Sequence, residues 1–122
     1  MDADTPWLVA HLAIGPLIFV LAKVFQTWPP KKINHFYGYR TPRSMRNQDT
    51  WDEAQRYSTR MLQYAALATT AFQVLAVRLW PDERSIMASV AFLVAALLAT
   101  IVATERHLKS TFDDEGKRKF PG

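Results

Sequence analysis

Three stretches of the chain, Thr5–Ala22, Met61–Val77 and Ser85–Thr104, contain no Asp, Glu, Lys or Arg, and nearly all the charge lies between and after them. Apolar runs of about 18–20 residues match what a helix needs to cross about 30 Å of hydrocarbon. The pattern predicts spans at about 7–25, 61–80 and 85–104, with a motif-bearing loop at 26–60 and a tail at 105–122. Thr5 suits an N-cap, and Pro6 suits the first helical position, where a missing N–H costs nothing. Gly15-Pro16 predicts a kink within the first span, and Pro29-Pro30 its end. Pro81 closes the second span, and the short Pro81–Arg84 link makes spans two and three an antiparallel hairpin. The expected fold is all-α: a single domain over residues 1–122, an integral membrane three-helix bundle with a partly helical cytoplasmic loop between spans one and two.

Composition changes this picture little. The 122 residues are 49% hydrophobic, with no cysteine and a formal net charge of +4. A mean hydropathy of −0.09 would suit a soluble domain, but segregation of the apolar residues excludes one, as it excludes disorder; the lack of cysteine excludes a disulfide-stapled secreted fold. The acidic start (Asp2, Asp4) and the long first apolar run do not fit a cleaved signal peptide, so the segment is expected to be retained.

Orientation follows from the basic residues. Of the 15 Lys and Arg, all but Arg78 and Arg84 fall on the side shared by the 26–60 loop and the tail. That bias places the N-terminus outside and the loop and tail in the cytoplasm of a multi-pass protein of the bacterial inner membrane. Trp7 and Trp80 suit an outer aromatic belt and Trp28 an inner one. The basic excess reads as orientation and contact with anionic lipid headgroups, and no nucleic-acid partner is expected.

Within the spans, Ala91, Ala95, Ala99 and Ala103 form a small-residue ladder that lets another helix approach closely. Packing inside the bundle is the expected use, and a homodimer seam the alternative. His11 and Gln73 are polar groups at comparable depth in the outer leaflet, expected to bond to one another as a packing contact.

The 26–60 loop is not a tether. It mixes Phe36, Tyr37, Tyr39, Trp51 and Tyr57 with arginines and with Asn34, Thr41, Ser44, Asn47 and Gln55. Gly38 permits positive φ between two tyrosines, and Pro42 holds Thr41 extended. Thr50-x-x-Glu53 reads as a capping box, so a helix is expected to start near Thr50 and run into the second span. On it Trp51, Gln55, Ser58 and Leu62 share one face, poised over a pocket at the cytoplasmic membrane surface; Asp52, Arg56 and Arg60 form a solvated or headgroup-facing stripe.

The run Asn34-x-x-x-Gly38-Tyr39-Arg40-Thr41-Pro42-x-Ser44-Met45-x-Asn47, continuing through Trp51, Ala54 and Tyr57-Ser58, resembles the SdpI family of bacterial integral membrane proteins. The chain looks like a minimal three-span form of that family. The resemblance implies immunity to a secreted, membrane-active toxin peptide, and signalling through a transcriptional repressor held at the membrane. Arg40 is the first candidate for recognition: its guanidinium is a planar fork of five donors, suited to a carboxylate or phosphate. Thr41, Ser44 and Asn47 are expected to add hydrogen bonds, with Tyr39 and Trp51 as walls; Asn34 and Gln55 complete the candidate ligand-binding set. In the competing reading Arg40 clamps helix C-terminal carbonyls and organises the loop.

An enzyme is the alternative class. His35, Ser44 and Glu53 hold the parts of a hydroxyl nucleophile, base and acid, with Asp49 and Asp52 as further acids. His35, Asp49 and Glu53 are candidate ligands for a divalent metal such as zinc, supporting a membrane-embedded peptidase. No cofactor is expected in the leading reading. His107 is set aside as a tail residue, and the tail as a frayed helix end followed by a solvated segment.

Overall fold

The computed structural model describes residues 5–80 and 82–120, save for the side chains at 5–8 and 10–12. It is all-α, with helices α1 (Thr5–Thr27), α2 (Gln48–Leu79) and α3 (Glu83–Thr111). Helix α2 is central and packs against both of the others. Among the described residues α3 is the one helix long and apolar enough to cross a membrane, and Ala13–Thr27 is a shorter apolar stretch. Only 6% of the most apolar window of α3 is buried, so this is not the hidden core helix of a water-soluble fold. The aromatic-belt residue Trp7 and the His11 partner expected for Gln73 lie outside the described side chains; Gln73 itself is buried.

Small residues set the α1–α2 approach. Gly15 and Ala22 are buried on α1, and Ala65, Ala66, Thr69 and Ala76 on α2. A Cβ placed on Gly15 would lie 2.1 Å from Thr70 Oγ1 and 3.0 Å from the Thr70 backbone, so the two helices meet almost backbone to backbone there. Helix α1 continues through Pro16, with no break at the expected kink. At its penultimate residue, Gln26 Oε1 accepts from Gln63 Nε2 of α2 at 2.8 Å. Between α2 and α3, Phe72 and Phe92 stack with centroids 4.4 Å apart, while Ser85, Ser89 and Thr104 are buried small polar contacts.

Four expectations need correction. The Ala91–Ala103 ladder does not pack inside the bundle: Ala91, Ala95 and Ala99 are exposed, because the Ser85, Ser89, Thr104 face is the one turned to α2. Helix α2 starts earlier than Thr50, and its capping box is Asn47 with Thr50, not Thr50 with Glu53. Asn47 Oδ1 accepts the Thr50 N–H at 2.9 Å and Thr50 Oγ1 accepts the Asn47 N–H at 3.0 Å, which frees the Glu53 carboxylate to face α3. Helix α3 runs a further seven residues beyond Thr104. Finally, the tail folds back instead of fraying. Phe112 is buried with Leu108 and Ala54, and a bridge between Phe112 and Arg118 closes a turn at Gly116, whose φ is +81°.

Substituting Gly15→Ala should lower stability by about 1–3 kcal/mol, as overpacking of a close contact does. Thr70→Ala in the same chain should recover part of that loss, since the nearest clash is with the Thr70 hydroxyl. Thermal unfolding in detergent, monitored by helical circular dichroism, checks both.

Candidate functional site

The first dozen residues of α2 form a post around which the loop and the tail are assembled. Trp51 is fully buried and donates from Nε1 to the Pro30 carbonyl at 2.5 Å, and Gln48 Nε2 donates to the Lys31 carbonyl at 2.6 Å. These two bonds tie the chain leaving α1 to the start of α2. One turn on, Gln55 grips Tyr39 by its backbone: Oε1 accepts the N–H at 2.7 Å and Nε2 donates to the C=O at 2.8 Å. Gly38 makes this grip possible. Its φ is +101°, and a Cβ there would lie 2.7 Å from Pro30 Cγ and 2.8 Å from Gln55 Oε1.

Most of the polar residues expected to bind a ligand satisfy the backbone of the loop. Asn34 Oδ1 accepts the N–H groups of Phe36 and Tyr37. Thr41 and Ser44 bond reciprocally, each hydroxyl oxygen accepting the other's N–H, and Ser44 Oγ also reaches the Tyr39 and Thr41 carbonyls. Asn47 caps α2 and donates from Nδ2 to the Gly116 carbonyl. Arg40 donates to the carbonyl of His35, which fits the loop-organising alternative, yet its side chain is exposed and has no carboxylate partner among the described residues. Tyr39 points its hydroxyl to Glu105 Oε1 of α3 at 2.7 Å. Burial, then the bond to Glu105 and its negative charge, raise the phenol pKa well above its ordinary value, so this hydroxyl remains a donor.

A second group of residues was not legible as a site. Glu53 is 8% exposed and accepts from Arg56 Nη2 at 2.5 Å and Arg118 Nη2 at 3.2 Å, with His107 Nε2 at 3.1 Å from its other oxygen. Burial alone would push this carboxyl up, but the bond to His107 and the charges and bonds of Arg56 and Arg118 overcome it and hold its pKa below the usual range. Tyr57 stacks on the His107 ring, centroids 4.1 Å apart and planes within 5°. Arg118 also grips Asp49 in bidentate fashion at 2.9 and 2.8 Å and lies over the Phe112 ring. The available signal was the spacing of Thr104, His107, Leu108 and Thr111 on one helical face, which extends the α2-facing stripe of α3 past the apolar run.

This arrangement separates the residues proposed for catalysis. His35 lies in the exposed loop with no bond to Ser44 or Glu53, whose polar atoms are taken by loop carbonyls and by His107 and the arginines. Asp49 is held by Arg118. Among the described residues no group of three or more His, Asp or Glu could hold a metal ion, so the His35, Asp49, Glu53 set does not converge. The sequence brought these types close along the chain; the packing of α2 on α3 turns Glu53 to His107 and away from the loop.

Two cavities flank the Gln55–Thr59 ridge of α2 and share Phe25 and Pro30 as a wall. One, of about 380 Å³, is bounded by Tyr37, Tyr39, Arg40, Ser58, Leu62 and Thr100. The expected pocket face of α2 is thus present through Gln55, Ser58 and Leu62, while Trp51 lies buried beneath. The other, of about 480 Å³, has Lys31, Asp52, Arg56 and Arg60 around the apolar floor of Phe25 and Pro29. Asp52, Arg56 and Arg60 are all exposed, as the charged stripe predicts.

Replacing Glu53 gives a pH test of this assembly. Its carboxyl has a lower pKa folded than its ordinary value of about 4.3, so the folded protein binds fewer protons. The stabilisation is therefore complete above about pH 5, clear of the unfolded value, and is lost as pH falls through the folded value. Glu53→Gln should destabilise at neutral pH and flatten the acid limb of thermal midpoint against pH.

The family model described as the SdpI/YfhL protein family matches residues 31–104, which include the loop motif and both cavity-lining stretches of α2 but not His107 or Arg118. A relative from Bacillus subtilis (strain 168), the uncharacterized protein YfhL, is 32% identical over 102 residues, covering 84% of this chain and 88% of its own length. No solved structure matches. With its apolar, unburied α3 and this match over more than half its length, the chain is a membrane protein belonging to the SdpI/YfhL family.

Proposed function

We propose that this family member is a three-span protein of the bacterial cytoplasmic membrane, with its N-terminus outside, and that it confers immunity to a membrane-active peptide by holding the peptide's anionic group at Arg40. The observation that carries this reading is the 380 Å³ cavity: Arg40, without a carboxylate partner among the described residues, stands at its rim beside Tyr37 and Tyr39, over the apolar Leu62. A guanidinium beside aromatic walls suits a carboxylate whose neighbouring residues are apolar. The cavity lies where the apolar part of α2 gives way to its charged first turns, the depth at which a peptide inserted in the inner leaflet presents its end. The clamp of Gln55 on Tyr39 and the reciprocal Thr41–Ser44 bonds serve this site by fixing the backbone on both sides of Arg40.

Expressed in a strain sensitive to secreted membrane-active peptides, the parent chain should protect and Arg40→Ala should not, while the purified variant stays within about 0.5 kcal/mol of parent stability. Full protection by Arg40→Ala removes the proposal. Orientation is tested separately with Phe36→Cys, a position 88% exposed in a chain otherwise free of cysteine. It should resist an impermeant thiol reagent in intact cells and react after permeabilisation; labelling of intact cells overturns the topology.

A further inference from the structure

The larger cavity has a chemistry of its own. It opens where α1 ends, between Phe25 and Gln26 on one side and the first three turns of α2 on the other. Lys31, from the segment after α1, and Arg60, from α2, both line it, and neither forms an ion pair among the described residues. Arg56 joins them, although its guanidinium also serves Glu53. The acid in the lining, Asp52, has one oxygen taken by Gln48 Nε2 at 2.7 Å. Three cations against one carboxylate leave the rim positive.

The frame around this rim is fixed. Gln48 donates to both the Lys31 carbonyl and Asp52, and Trp51 donates to the Pro30 carbonyl, so the Lys31 backbone is pinned to α2 while its ammonium stays free. Below the rim the surface turns apolar. Phe25 and Pro29 floor the cavity, and Leu21 and Val24 continue down α1 as exposed aliphatic positions. Trp28, 69% exposed at the same level, suits a headgroup-depth aromatic. A positive rim above an apolar slope matches a molecule with a phosphate at one end and hydrocarbon at the other.

We infer that the 480 Å³ cavity is a binding site for one anionic phospholipid, its phosphate between Lys31 and Arg60 and its acyl chains along the Leu21–Phe25 side of α1. The site is separate from the peptide cavity: Arg40 takes no part in it, and the inference stands whether or not that peptide reading holds. It also gives Asp52 and Gln48 a role, since together they position Lys31 rather than meet the ligand's charge.

Native mass spectrometry of the full chain, released from mixed micelles containing equal phosphatidylglycerol and phosphatidylcholine, tests the site. The parent should retain one phosphatidylglycerol in preference to phosphatidylcholine. Lys31→Gln and Arg60→Gln should each reduce that preference about fivefold, the value of one basic residue at an anionic surface, and the double variant should abolish it. Arg40→Gln should leave it unchanged. Equal retention of the two lipids by the parent, or unchanged preference in the double variant, overturns the site. Loss of preference in Arg40→Gln alone places the lipid in the wrong cavity and overturns it as well. Displacement of the lipid by millimolar inorganic phosphate shows that the rim reads a free phosphate, which overturns the commitment to a lipid. Circular dichroism of the double variant should match the parent, since neither side chain has a partner to lose among the described residues.

Discussion

Asn47 accepts the Thr50 N–H in its side chain, and from that cap α2 runs 32 residues without interruption. At 1.5 Å per residue this is about 48 Å. Its charged first dozen residues determine the rest of the polar end. Trp51 and Gln48 hold the chain leaving α1, Gln55 holds the motif loop, and Glu53 and Asp49 hold the tail through Arg118. Because all these side chains project from successive turns of one helix, the three attachments share a single rigid frame.

Glu53 shows how a charge is kept in so crowded a place. Burial alone would push this carboxyl's pKa up, but a histidine from α3, an arginine one turn along α2 and an arginine from the tail surround it and hold it down. Each comes from a different part of the chain, so the carboxylate acts as a staple as well as a charge. The stacked Tyr57 and the Phe112–Arg118 contact cover the cluster. This is why the tail, polar in composition, folds back and is ordered.

The two cavities on either side of the Gln55–Thr59 ridge differ in what lines them. One has aromatic walls and a single arginine held by a loop; the other has cations from α2 and from the segment just after α1, above an aliphatic slope. Phe25 and Pro30 form their common wall, and Phe25 stacks against Tyr37. The shared wall thus joins the end of α1 to the motif loop.

The sequence by itself determined the helical class, the three helices and their order, and a long second helix that includes part of the loop. Each rests on local physics: runs without charge, proline stops, a capping pattern within a few residues of the true one. It also marked Gly38, whose positive φ was foreseen from its place between Tyr37 and Tyr39. What the tertiary structure decided was where the polar atoms of the motif go. Asn34, Thr41, Ser44, Asn47 and Gln55 are equally able to bind a ligand or a backbone group, and only the packing of loop against α2 shows that they bind backbone. The same holds for the alanine ladder, whose spacing marks a close-packing face but not which helix, if any, lies against it. His107 and Arg118 lay more than fifty residues from Glu53 along the chain, and no local pattern joins them. Hydrogen bonds and ion pairs are short-ranged in space and indifferent to distance along the sequence, so their partners appear only when the helices are packed.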